Sequence, residues 1–515
     1  MISPVLKQTI LAFGSLCMLI LLPSAPVFAA CPDTVNNAGY LTPAGNGSKT
    51  GADWNNTCAG FSGSCAISSL VRGCTYYVAA GGTKASPAYC AGDEACNFNT
   101  PDSGTSVITI QAPTASNHGT NTGYSSALLG QAVFGPIEIS SDYWTINGAY
   151  DDAMTLPSKN ISSYGFMFSN GTGGSPTNAN GAIWDLAPTG NVILEYLDIA
   201  GPGNTSNSGL GDNGILSQGG GSNNYYGYNH VHDFSVLGIK FAGETNDVIE
   251  YNWIEKNCCS SGAAHRGGIN PAVYYAQGQT NLTIRYNYLE DLDGTAYIDW
   301  ANSASGTPTH QNIYIYGNVM WCNTAENTGN NPCAGGDGVI SFLGNSATAT
   351  LNYNNVNVYN NTIDGLLKSQ GNCGINLGGG HLATFNNLTI RNNLFSNCDA
   401  NPPLCGQNDA TCTGTTTLDS NTFWNSGDAV WGTNSQTMSS NPYVSAGNNV
   451  AGQNNYKLAT DTAAWYPLSN FTMGDVMETL AIDPDQVTRA SSRGAYQFQS
   501  GSAPNPPTGL AAAVN

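Results

Sequence analysis

Apolar and polar residues alternate at period two along much of this chain, and the alternation returns as a recurring phrase. It reads apolar–x–apolar–x–(Tyr/Asn/Gly)–Asn–x–apolar, as in residues 248–254, 282–289, 313–320, 356–363 and 388–395. Period two assigns strands rather than helices. One phrase every roughly 20–45 residues marks a solenoid whose coils stack on one another. The pattern therefore predicts an all-β chain folded as a right-handed parallel β-helix. Ile249, Ile284, Ile315, Val358 and Ile390 are expected to stack in one interior row. Asn229, Asn252, Asn287, Asn318, Asn361 and Asn393, continued by Asn421, fall in a second column. Asparagine suits a left-handed turn residue, and stacked amides can bond to one another.

Around this repeat the chain divides into four parts. Residues 1–30 read as an export signal, with Lys7 as the only charge, an apolar run over 10–22 and small residues up to Ala30. Residues 31–73 are polar, rich in Gly and Asn and weakly periodic, as expected of a cap over the open end of a solenoid. The β-helix is expected over 74–500, regular from Val192 to about Trp424 and irregular beyond, with a short helix or cap near 470–479. Residues 501–515 read as a loose Pro/Ala-rich tail.

Composition narrows the function classes. The 515 residues include 14 Lys+Arg against 34 Asp+Glu, a net charge of −20, which provides no basic footprint for nucleic acid. Only 9% of residues are charged while 41% are hydrophobic, so the chain folds rather than staying disordered. No apolar run is long enough to span a bilayer. Fifteen cysteines less Cys17 of the leader leave fourteen, an even number that points to disulfides in an exported protein, secreted, periplasmic or on the cell surface. The stretch Phe28-Ala29-Ala30-Cys31 loosely matches a lipobox and raises a lipid anchor at Cys31 as an alternative. A monomer is expected.

Several segments resemble a known family. The stretch Gly51-Ala52-Asp53-Trp54-Asn55-Asn56, then 70–79 and 108–119, is similar to the opening of exported bacterial pectin-lyase-like β-helix proteins. The ending Arg493-Gly494-Ala495-Tyr496-Gln497-Phe498 resembles their terminal coil, and 507–510 resembles the start of a fibronectin-type module. The resemblance implies the fold and leaves the activity open, since that superfamily includes lyases, hydrolases, epimerases and adhesins. The Arg-x-x-Pro-x-x-Arg signature of classical pectate lyases is absent, as is Trp-x-Asp-His.

Gly-bounded strands between the phrases supply the candidate site. Residues 215–217, 239–241, 273–275, 298–300, 340–342 and 375–377 share a frame in which the flanks are mostly apolar and the centre points outward. The outward column then reads Leu216, Lys240, Tyr274, Asp299, Ser341 and Asn376, with Trp184 from an earlier coil. Coils about 4.8 Å apart put Lys240 and Asp299 about 10 Å from each other, the span of a sugar unit with its glycosidic bond. Lys240, Tyr274, Asp299 and Arg266 are the candidate catalytic residues; Trp184, His265 and Asn376 are candidates for binding a polysaccharide. Lyase chemistry would use Lys240 or Tyr274 as base or acid and Arg266 against a uronate carboxylate. Hydrolysis would need a second carboxylate beside Asp299, from Asp233, Glu244 or Asp337. The rival reading is a non-catalytic adhesin or glycan-binding scaffold. His230 and His232 read as ordinary turn residues, and Glu250 with Arg285 as an exposed pair. Glu290, Asp291 and Asp293 before Gly294 are oxygen donors that could take Ca²⁺, the one candidate cofactor.

Overall fold

The computed structural model describes residues 30–458 and Ala495, except 93–95, 151–159, 173–174, 179, 204–212, 257–266, 273–276, 291, 293–295, 301–306, 323–337, 344–349, 366–372, 379–381, 404, 407–409, 428–429 and 446–454. The expected leader, the 470–479 element and the tail lie outside these residues.

Short strands separated by Asn- and Gly-rich corners cannot close a sheet within one coil, so each strand pairs with its equivalent in the coils before and after. Three long parallel sheets result. Among the described residues sheet A has 13 strands, sheet B has 11 and sheet C has 9, in coil order except that Cys58–Ala59 pairs on the outer side of Ala38–Thr42. One coil shows the plan. Tyr225–Gly227 lies in sheet A, His230–His232 in sheet B and Leu237–Ala242 in sheet C, and Val248–Glu250 then returns to sheet A one coil on. The fold is the expected right-handed parallel β-helix. Ala38–Thr42 already pairs in parallel with Thr75–Val78, and sheet B continues to Gln436–Met438.

The interior row follows the expected register. Ile249 pairs with Ile284, Ile284 with Ile315, Ile315 with Val358 and Val358 with Ile390, and all five are fully buried. Apolar stacking of this kind supplies the main driving force for coil-on-coil association.

The corner between sheets A and B carries the asparagine ladder. The Asn229 amide donates to Asn252 Oδ1, Asn252 to Asn287, Asn287 to Asn318, Asn318 to Asn361 and Asn361 to Asn393, each at 3.0 Å; Asn393 donates to Asn421 at 3.1 Å. The expected left-handed backbone belongs to the preceding residue instead. Tyr228, Tyr251, Tyr286, Gly317, Asn360 and Asn392 have φ between 51° and 67°. A left-handed tyrosine is costly on its own. Here the rings of Tyr196, Tyr228, Tyr251 and Tyr286 stack at 4.8–5.0 Å, which offsets that cost. At Gly317 a Cβ would come within 2.5 Å of the Tyr286 ring, so the column admits no side chain at that coil.

A second ladder was not anticipated. Asn246 donates to Asn223, Asn281 to Asn246, Asn312 to Asn281 and Asn355 to Asn312, at 2.7–3.0 Å along the start of sheet A. Glu250 and Arg285 depart from expectation as well. They are nearly buried, with Arg285 Nε 2.5 Å from Glu250 Oε2 and Arg285 also donating to the Tyr316 hydroxyl. Their attraction is screened far less than that of an exposed pair.

Five disulfides join described cysteines: Cys31–Cys74, Cys58–Cys65, Cys90–Cys96, Cys373–Cys398 and Cys405–Cys412. Such bonds persist in an oxidising compartment. The Cys31 sulfur is bonded to Cys74 and cannot carry a thioether lipid in that state. Cys258 and Cys259 lie outside the described residues. No helix among the described residues is long and apolar enough to cross a membrane.

Candidate functional site

The outward column of sheet C is built by strict pairing. Trp184 stands opposite Leu216, Leu216 opposite Lys240, and Lys240 opposite Asn270. Further on, Asp299 stands opposite Ser341 and Ser341 opposite Asn376. Inward neighbours Ile239 and Phe241 are fully buried, as alternation requires. The expected frame fails at one coil. The strand that pairs there is Gly267–Ala272, so Asn270 occupies the place assigned to Tyr274. Tyr274, His265 and Arg266 lie outside the described residues.

Lys240 is half-buried and has no hydrogen bond or ion pair among the described residues. Burial lowers its pKa from the usual lysine value, since no neighbouring carboxylate supports the ammonium. Asn270, itself buried, donates from Nδ2 to the Asp299 carbonyl at 2.6 Å, tying the lysine's coil to the aspartate's. Trp184 and Asn376 are half-buried at either end of the column. The Trp184 indole N–H has no partner among the described residues.

Asp299 differs from the expected exposed group: it is fully buried, as is Ser341. Of the carboxylates expected as its hydrolytic partners, Asp233 and Glu244 are engaged elsewhere. Asp233 hydrogen-bonds His232 beside sheet B, at 2.8 Å. Glu244 is buried, hydrogen-bonded by the Ser217 hydroxyl and by Asn224. Asp337 lies outside the described residues. The calcium candidate is also changed. Glu290 is fully buried and accepts from the Trp253 indole at 3.1 Å, while Asp291 and Asp293 lie outside the described residues.

A second cluster sits on sheet B, where His230 and His232 prove to be strand residues rather than turn residues. Asp198 pairs with His230 across neighbouring strands, and His232 pairs with Glu255 one coil further. His230 Nδ1 and His232 Nε2 each lie 3.1 Å from the same oxygen, Asp198 Oδ1. The far nitrogens face other carboxylates: His230 Nε2 is 3.1 Å from Glu255 Oε1, and His232 Nδ1 is 2.8 Å from Asp233 Oδ2. Burial pushes the Asp198 carboxyl up, but the His232 charge and the bonds from both rings outweigh it and hold the pKa at about 2. For His232 burial works downward, and the Asp198 charge and hydrogen bonds raise it to about 9. The sequence carried a local signal for this cluster, two histidines at i and i+2 with Asp233 adjoining the second; Asp198 comes from the coil before and Glu255 from the coil after.

Polar groups also enter the corner after sheet C. Asp185 is buried, accepting from the Tyr226 hydroxyl at 3.0 Å and from the Ala187 N–H at 3.0 Å. Burial, then the nearby Glu244 charge, pushes its pKa up to about 7. Glu244 and Asp247 adjoin, and burial raises both.

No family model matches this sequence, and no curated protein sequence is significantly similar to it. Among solved structures, pectate lyase Pel9A is similar, at 14% identity and a TM-score of 0.46, over 92% of this chain and 100% of that one. The Agl-KA catalytic domain matches at 12% identity and a TM-score of 0.20, over 72% of this chain and 59% of that one. At such distances neither likeness carries an argument about this chain.

Proposed function

We propose that this chain is an exported carbohydrate-active β-helix protein whose sheet C column cleaves a uronate-containing polysaccharide by β-elimination. The observation that carries the reading is Lys240: a half-buried lysine on an outward strand face, without an ion-pair partner among the described residues and with its pKa lowered by burial. A surface lysine kept for solubility would be solvated. One kept for stability would be paired. A lysine that loses its proton more readily suits a general base.

In the proposed step the Lys240 amine takes the proton from the carbon next to the uronate carboxylate. The C–H electron pair becomes the new carbon–carbon double bond, and the glycosidic C–O bond breaks. The departing oxygen is protonated by an acid, for which Tyr274 is the candidate, and Arg266 is the candidate to neutralise the carboxylate. Trp184 and Asn376 extend the column as binding positions for neighbouring sugars. Hydrolysis is less well supported, because Asp299 is buried, Asp233 is engaged by His232 and Glu244 by Ser217, and Asp337 lies outside the described residues. A non-catalytic glycan scaffold remains the second reading, favoured by the burial of Leu216, Asn270, Asp299 and Ser341 within the same column.

The test is incubation of the mature protein with a panel of uronate and neutral polysaccharides. New unsaturated ends, read by ultraviolet absorbance, support the lyase. Reducing ends without that absorbance would indicate a hydrolase, and binding without either would indicate the scaffold.

A further inference from the structure

The sheet B cluster has a property that its hydrogen bonds alone do not require. Asp198 Oδ1, His230 Nδ1 and His232 Nε2 converge, all three lying within 4.8 Å of one another. Both ring nitrogens are 3.1 Å from the carboxylate oxygen. Two N/O ligands at about 2.1 Å from one ion stand about 3.0–3.4 Å apart, so these separations are those of ligand edges. The opposite nitrogens complete the arrangement. Glu255 receives His230 Nε2, and Asp233 receives His232 Nδ1. A carboxylate on the far nitrogen fixes the tautomer of a metal-binding histidine, turns its lone pair toward the ion and raises its basicity. Both histidines here have that partner, and both near nitrogens point to one spot.

A second observation is independent of those distances. Among the described residues Asp198 Oδ2 is buried and has no hydrogen-bond partner, and Asp198 as a whole is fully buried. A carboxylate oxygen left this way is costly unless something cationic meets it. Without an ion, Asp198 Oδ1 must accept from both rings while Oδ2 meets no donor among the described residues. The cluster is not sealed, since the His232 side chain keeps 12% of its exposure and that of Asp233 keeps 28%.

We propose that Asp198, His230 and His232 form a binding site for a divalent transition-metal ion of the zinc type, with Glu255 and Asp233 as the outer carboxylates that orient the two rings. The donor set, two imidazoles and one carboxylate, suits Zn²⁺ and its neighbours rather than Ca²⁺ or Mg²⁺, which take oxygen ligands. Asp198 and the histidine pair come from two successive coils, so a bound ion would join those coils directly, with Glu255 of the third coil linked through His230. This site is on sheet B and does not depend on the role given to Lys240 on sheet C.

The experiment is a Co²⁺ titration of the full mature chain, freed of metal by chelator, followed by visible absorption and by thermal melting with Zn²⁺ or EDTA. One equivalent of Co²⁺ should saturate a d–d spectrum of nitrogen/oxygen type, Zn²⁺ should displace it, and Zn²⁺ should raise Tm. Asp233→Asn removes no ligand and should weaken affinity by about 10–100-fold, the usual scale for an outer partner. Asp198→Asn and His232→Gln should abolish the one-equivalent spectrum. The absence of saturable binding in the wild type would overturn the proposal. So would a thiolate charge-transfer band, which would place the ion on cysteines, or an affinity unchanged in Asp233→Asn. Because the wild-type titration decides by itself, a ligand variant that fails to fold does not rescue the proposal.

Discussion

Lys240 stands opposite Asn270 on the next coil, and through the Asn270 amide it is tied to the backbone carbonyl of Asp299. The lysine thus sits on a rigid strand, held at a fixed distance from its neighbours, with burial lowering its pKa.

If Lys240 is the base, Lys240→Ala should reduce turnover on the best polysaccharide by about 100-fold or more, the scale for losing an acid/base group. The lower limb of the pH–rate profile should follow a group with a pKa below that of free lysine, and that limb should vanish in the variant. Steady-state kinetics across pH checks both. Full activity in a folded Lys240→Ala protein would remove the column from consideration.

The same lysine gives a stability prediction with a definite sign. Its pKa is lowered on folding, so the unfolded chain binds the proton more tightly and Lys240 disfavours the folded state below that lowered value. Lys240→Met should keep the packing and raise Tm at neutral pH, with the gain shrinking as pH approaches the free-lysine value. Thermal melts at several pH values test this.

Asn287 is the centre of the ladder. It is fully buried, accepts from the Asn252 N–H and side chain, and donates to Asn318 Oδ1 and the Ile249 carbonyl. Asn287→Ala would leave several buried polar groups unmet, at about 1–3 kcal/mol each. A loss of about 3 kcal/mol or more is expected in urea denaturation, whereas Asn281→Ala in the exposed ladder should cost much less.

Ile315 lies in the middle of the interior row. Ile315→Asp would bury an unpaired charge in a packed stack and should prevent folding. Loss of soluble, protease-resistant protein is the expected readout.

Asp185 predicts a pH dependence. Its folded pKa of about 7 exceeds the ordinary 3.8, so the folded state binds the proton more tightly. Its contribution therefore falls as pH rises from about 4 to 7 and stays unfavourable above. Asp185→Asn preserves a carbonyl for the Ala187 N–H and should flatten the fall in Tm between pH 5 and pH 8. An unchanged slope would show that Asp185 does not titrate in this window.

Much of this architecture was legible in the sequence because a β-helix repeats its instructions. Period-two alternation assigned the strands. The stacked phrase fixed the row from Ile249 to Ile390 and the ladder from Asn229 to Asn421, since the same contact recurs at each coil and a wrong register would expose every interior residue at once. Trp184, Leu216 and Lys240 were placed in one column for the same reason.

Tertiary structure decided what the repeat does not encode. Between Glu255 and Leu282 both 267–272 and 273–275 satisfy the strand pattern, and only pairing with Leu237–Ala242 selects the first, which puts Asn270 opposite Lys240. Depth was likewise invisible: alternation says that Asp299 and Arg285 point outward, yet both are buried, Arg285 between Glu250 and Tyr316 of the neighbouring coils. The meeting of Asp198, His230, His232 and Glu255 needed the structure most. These residues come from different coils separated by connections of unequal length, so their convergence is a property of stacking rather than of any local motif. The sequence by itself determined the solenoid because each coil buries the same apolar face. It did not determine the sites, because they arise between coils, where three-dimensional register alone sets which side chains meet.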